Sequence, residues 1–337
     1  MKIVLDIGKL VENGELTPEQ AEKLKKLAAK ETGSLGINIL LSFGVVAIAG
    51  GILALAPSVA NTLIIGAVLV VSGFGLKQYR QEQWGLLGTA NVMVGALTVS
   101  GGLIVLWDGN VAAFLLVALI LTVLGAVARS GLLIAVAPLA LAAVLGSSTG
   151  YVHASYMLII REATVTIGVF ALLALVTFYL SKRLSADYER LALIYSRVCL
   201  MLVNFGFWVG SLWGDYPGVS WARSEIYKDP DTFWNSEQRW RETALFIPDA
   251  VFAVLWAIAL VAVGAWGARR NRRFVVNTAA VFGSIHFYTQ WFEHLGATPA
   301  TVIFGGVVAV GVALGLWKYN RLAIQLPSAL HKGPPSA

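Results

Sequence analysis

Six side chains in this chain have the types and places to do chemistry: Arg197, Asn204, Asp249, His286, Gln290 and Glu293, all set in or beside long apolar runs. A charged side chain at the centre of a bilayer costs at least about 2.5–3.5 kcal/mol, so it persists only where it pairs or meets water. His286, Gln290 and Glu293 recur at i, i+4 and i+7, which places them on one stripe of one helix, with His294 following at the rim. Asn204 follows Arg197 by seven residues, on the same face, and Asp249 comes directly after Pro248 at a helix start. Together these groups could pass a small polar or ionic solute. His286 and Glu293 would coordinate it or move a proton. Arg197 would be the counter-ion, and Asn204 and Gln290 would guide by hydrogen bonding.

Each also has a purely structural use. A carboxylate at position 249 complements a helix dipole. Arg197 can snorkel along its own stem, or pair with Glu162 or Asp249. Glu293 and His294 can be interfacial, and His286 and Gln290 can bond between helices.

Other chemistries lack their residues. The single cysteine, Cys199, excludes an intrachain disulfide, a CxxC pair and a cysteine zinc site. GFGLK at 73–77 lacks the spacing and the Ser or Thr of a phosphate loop, and there is no HExxH, DxDxDG or G-x-S-x-G. No nucleophile or metal set accompanies the His–Glu stripe, so no cofactor or metal is expected and an enzyme is disfavoured.

The elements that must position the stripe are membrane helices. Of 337 residues, 57% are hydrophobic and 13% charged, against roughly 25% charged in a soluble domain. Apolar runs near the roughly 20 residues of a spanning helix recur along the whole length. Lipid leaves no partner for free backbone N–H and C=O groups, so the runs must be helices. The expected fold is an all-α polytopic bundle of about ten spans, at 37–56, 62–76, 86–107, 110–127, 131–147, 163–180, 190–213, 246–267, 274–294 and 298–317.

Charge placement sets direction. If the N-terminus is cytoplasmic, 19 of the 25 Lys and Arg residues fall in cytoplasmic segments, while the loops at 57–61, 108–109 and 295–297 carry none. This is the positive-inside pattern, and an even number of spans puts both termini inside. Trp84, Trp266 and Trp317 then mark inner ends and Trp107, Trp213 and Trp291 outer ends. The same placement explains the net charge of +6 without nucleic acid.

Residues 1–35 predict a cytoplasmic helical hairpin, with Thr17, Pro18 and Gln20 as a capping box and Leu24, Leu27 and Ala28 as its packing stripe. The N-terminus lacks the pattern of a cleaved signal peptide. Residues 36–150 form a scaffold half whose five spans hold no ionisable residue in their interiors, and 151–321 the half whose spans carry ionisable groups, followed by a cytoplasmic tail at 322–337. The outer loop 214–245 is long and aromatic (Tyr216, Trp221, Tyr227, Phe233, Trp234, Trp240), either a lid or an interfacial segment. GxxxG at Gly206–Gly210 and Gly311–Gly315 suggests close packing.

Two stretches, VENGELTPEQAEKL at 11–24 and the basic-to-glycine-rich segment 269–321 with Tyr288, Trp291, Phe292 and Glu293, resemble a bacterial family of multi-spanning inner-membrane proteins of unknown function. That resemblance implies a multi-pass protein of the bacterial inner membrane and carries no site residues. Two functions remain open. One is passage of a small polar solute through an outer cavity beneath the aromatic loop. The other is a non-transporting sensor or scaffold that docks a partner through the hairpin or the loop, with a homo-oligomer as one such assembly.

Overall fold

The computed structural model describes residues 10–11, 13–14, 16–79, 81–152, 155–226, 233–296 and 298–329. The first arm of the expected hairpin, the side chains of Leu24, Leu27, Ala28 and His294, and Tyr227 lie outside the described residues, as does everything after 329.

Helices occupy all ten apolar segments. They are α1 (Pro18–Leu55), α2 (Val59–Tyr79), α3 (Gln81–Leu106), α4 (Val111–Val127), α5 (Gly131–Val144), α6 (Ala163–Ser181), α7 (Ala186–Trp213), α10 (Asp249–Arg269), α11 (Arg273–Leu295) and α12 (Pro299–Ala329). Two short helices, α8 (Val219–Ile226) and α9 (Phe233–Thr243), fold the long loop. Among the described residues six helices are long and apolar enough to cross a membrane: α1 from Ile37, α2, α3 from Trp84, α6, α7 and α10. The apolar helices Val111–Val127, Gly131–Val144 and Pro299–Gly315 are shorter. Large apolar side chains stand outward along these helices, Leu40, Val71 and Val261 each being more than 70% exposed. A protein in water hides such surface, whereas one in lipid presents it. The protein is an integral membrane protein.

Three details depart from expectation. The Thr17 capping box is present, but the helix it starts runs unbroken to Leu55, so the polar lead-in and the first apolar run are one rod. The last helix likewise continues to Ala329, where a tail was expected from 322. Two strands, β1 (Ser148–Val152) and β2 (Ser155–Ile159), pair antiparallel, the one sheet among the described residues.

The chain divides into two compact units, Met1–Ala140 and Leu141–Ala337, with the division inside α5. In the first unit α2 and α3 pack antiparallel on glycines. A Cβ at Gly95 would stand 2.6 Å from the Gly66 carbonyl oxygen, and one at Gly73 would stand 2.7 Å from that of Gly88. The pairs repeat every seven residues, two helical turns, so one seam stays in contact. Lys77 donates to the Ala128 carbonyl at 2.6 Å, setting a cation at the negative end of α4.

The second unit is built around α7. Phe170 and Ala174 of α6 pack with Cys199 and Leu202 of α7, all buried. Gly206 lies under Ile167, and Gly210 under the ring of Phe252 on α10. Gly311 and Gly315 meet nothing within 4 Å, so that GxxxG packs against none of the described residues. The α10–α11 turn closes with Asn271 in the left-handed region (φ 52°) and the Arg272 N–H donating to the Gly267 carbonyl at 2.8 Å. This is the six-to-one bond of a Schellman motif.

Candidate functional site

The α7 side chains bond to α11 in an order that fixes how the helices run. Arg197 meets Phe274, Trp208 meets Thr289 and Ser211 meets Gln290, so α7 and α11 are parallel. Asn204 meets Trp256 and Gly210 meets Phe252, so α10 runs the other way. At about 1.5 Å per residue, Arg197 and Asn204 stand about 10 Å apart along the bundle.

The six sequence-selected residues are therefore spread out rather than gathered. Asp249 and Glu293 are exposed, Asp249 in the first turn of α10, where a carboxylate faces the positive end of the helix dipole. Gln290 Nε2 reaches the Ser211 carbonyl at 3.5 Å, a long contact. At the opposite end the Arg197 guanidinium lies over the Phe274 ring, 4.9 Å from its centroid.

Asn204 and His286 do come together, through Trp256, a residue the sequence reading did not single out. Trp256 is fully buried and donates its indole N–H to Asn204 Oδ1 at 3.0 Å. Asn204 Nδ2 donates to the Leu200 carbonyl at 2.8 Å. The His286 ring stands edge-on to Trp256 at 4.9 Å, and its Nδ1 is buried without a hydrogen-bond partner. Beside them lies a cavity of about 50 Å³, lined mainly by apolar groups with Asn204, Trp256 and Thr278 at its polar edge. That is room for a few waters at most.

A second polar centre escaped the sequence reading. Glu162 is fully exposed to neither water nor lipid: its accessible surface is 0%. Its two carboxylate oxygens accept the backbone N–H groups of Gly218 at 2.8 Å and Ser220 at 2.6 Å. These are the first amides of α8, so a residue at the start of α6 caps a helix more than fifty positions onward. The exchange is reciprocal. Asp215, 5% exposed, accepts the Thr164 N–H of α6 at 2.8 Å. Each carboxylate thus sits on the positive end of the other's helix, where orphan amides need an acceptor.

Asp215 also exchanges both backbone bonds with Ile247 at 2.9 Å each, clasping the two ends of loop 214–245. Tyr216 stacks on Phe246 at 4.7 Å under the Arg241 guanidinium. The two ends of the loop are therefore tied together at its base. Around that base Ser147, Thr164, Thr166 and Ser220 keep buried hydroxyl oxygens without protein partners. The only sequence signal was two carboxylates at the borders of apolar runs. What they hold is backbone, which no residue type announces.

Among the described residues no three His, Cys, Asp or Glu side chains converge as metal ligands. The chain matches no family model, no curated protein sequence and no solved structure.

Proposed function

We propose that this is a ten-span protein of the bacterial inner membrane with both ends in the cytoplasm, acting as a non-transporting receptor or scaffold. It offers the cap of α8 and α9 to a partner on the outer face. The helix order, the positive-inside charge pattern and the tryptophan belts support the topology. The resemblance of 11–24 and 269–321 supports the bacterial membrane.

The observation that carries the function is Trp256. A solute path beside His286 would need the space this indole fills, and Asn204 is already occupied by the indole N–H and the Leu200 carbonyl. With its oxygen and one N–H each engaged by protein, Asn204 has less to offer a passing ligand. By contrast, the cap is clasped at its base by Asp215 and Glu162 while residues such as Trp221 remain exposed on it.

Cys199 is the only cysteine and is buried, which makes a clean test. In a Cys199→Ala background, single cysteines at 204, 249, 270, 286 and 293 are treated with a charged, membrane-impermeant thiol reagent on intact cells. Asp249→Cys and Glu293→Cys should react, Arg270→Cys only after permeabilisation, and Asn204→Cys and His286→Cys not at all. Reaction at position 286 from outside would return the transport reading. Reaction at 270 but not 249 in intact cells would invert the topology.

A further inference from the structure

We propose that the pocket at the α10–α11 turn binds the phosphate of an anionic phospholipid. Only its assignment to the inner leaflet rests on the topology proposed above. The pocket measures about 290 Å³, close to the roughly 300 Å³ at which small-molecule sites begin. Arg197 enters from α7, and Asn271, Arg272 and Arg273 come from the turn, with Phe178 and Phe274 as aromatic walls. Among the described residues no carboxylate lines it.

Three guanidinium groups converging without an anion repel one another. The backbone adds to the imbalance: α11 begins here with Arg272 at its N-cap, no side-chain cap and no acidic residue in its first turn. The positive end of a helix dipole ordinarily attracts anions and disfavours cations. Cations at this end are tolerable when an anion sits among them. The arginines are already oriented. Arg197 lies over Phe274 at 4.9 Å and Arg272 over Phe178 at 5.7 Å. A guanidinium held over a ring face still has N–H donors to spare, and its planar fork can grip a phosphate through two bonds.

The surroundings favour a lipid as the source of that phosphate. Lys182 lies over Phe178 at 4.9 Å and also over Tyr179 at 4.6 Å. Tyr179 belongs to an adjoining apolar groove on α6, lined by Leu175, Val176 and Leu180, with Lys182 and Arg183 at its end. A headgroup in the pocket and an acyl chain along the groove use both at once. Basic recesses between membrane helices at headgroup level are natural sites for anionic lipids.

The full-length protein in detergent is titrated with phosphatidylglycerol, phosphatidylcholine or inorganic phosphate, reading bound lipid by native mass spectrometry and melting temperature. Phosphatidylglycerol should bind and raise the melting temperature, and phosphatidylcholine should not. Arg197→Gln with Arg272→Gln should weaken binding about thirtyfold, from roughly a factor of five per arginine. Arg269→Gln with Arg270→Gln, on the same turn but outside the pocket, should leave it unchanged. Unaltered binding by the first pair overturns the proposal, and so does equal loss in the second pair, which would mean diffuse surface charge. If inorganic phosphate stabilises as well as the lipid does, the phosphate site stands and the lipid source falls. Should the double variant fail to fold, Arg272→Gln alone, at an exposed position, carries the same comparison.

Discussion

Glu162→Gln is the sharpest test of how the proposed cap is held. Glutamine keeps the volume of a side chain with no accessible surface, but it turns one acceptor oxygen into a donor facing a backbone N–H. A hydrogen bond to a charged group contributes about 1.5–3 kcal/mol and a neutral one about 1 kcal/mol. One charged bond is lost and the other becomes neutral, while relief from burying a charge offsets part of the change. The net loss is about 2–3 kcal/mol, or between about thirtyfold and about 150-fold in the opening of the cap. Hydrogen–deuterium exchange reads that opening directly. Amides of α8 should exchange faster by that factor, with α10 unchanged as the internal reference. Unchanged exchange in α8 would refute the clamp. Equal acceleration in α6, α7 and α10 would show that Glu162 supports the whole unit rather than the cap.

The other predictions concern packing and the buried indole. Gly95→Ala should separate α2 from α3, because the new methyl meets the Gly66 carbonyl at 2.6 Å and the Val70 amide at 2.7 Å, both backbone. Overpacking of this kind costs about 1–3 kcal/mol, so the melting temperature should fall, while Gly101→Ala, with nothing within 4 Å, should not lower it. Trp256→Phe keeps an aromatic ring beside His286 but strands Asn204 Oδ1, a loss of about 1–3 kcal/mol. Asn204→Leu added to it should recover much of that loss in a double-mutant cycle read by thermal melting. Additive losses would mean that the two side chains do not act as a pair.

The ten helices could be read from the sequence because lipid imposes a single rule, paired backbone within long apolar runs, and that rule is local. Contacts across the chain were not legible in the same way. Periodicity placed His286, Gln290 and Glu293 on one stripe, yet it said nothing of depth, and they proved to face different partners at different levels. Glu162 and Asp215 exchange caps more than fifty residues apart, a relation that depends on where α8 begins. The β1–β2 hairpin had its signals in Thr149, Tyr151, Val152, Tyr156 and Ile159, but they merged with the apolar run that follows. The glycine seam of α2 and α3 was equally visible, at a spacing of seven rather than the four of GxxxG.

Polar residues in a membrane helix invite a reading as a conduit, but α7 uses them to set register. Arg197, Asn204, Trp208 and Ser211 are spaced by seven, four and three, the pattern of a helix–helix seam. Apolar packing in lipid gains little over lipid itself, so it discriminates weakly between one axial register and another. Directional bonds from Trp256 to Asn204 and from Trp208 to Thr289 are satisfied in one register only. A conduit needs polar groups with open valences along a wet path. Among the described residues of α7, α10 and α11, only His286 Nδ1 and Trp291 Nε1 are buried side-chain polar atoms left unpaired, too few to line a path. The seam therefore fixes α10 and α11 to α7, the helix whose end leads directly into Asp215 and the base of the cap. Rigidity delivered to that base suits the receptor or scaffold proposed above, and a carrier that must alternate between two arrangements would have to break it.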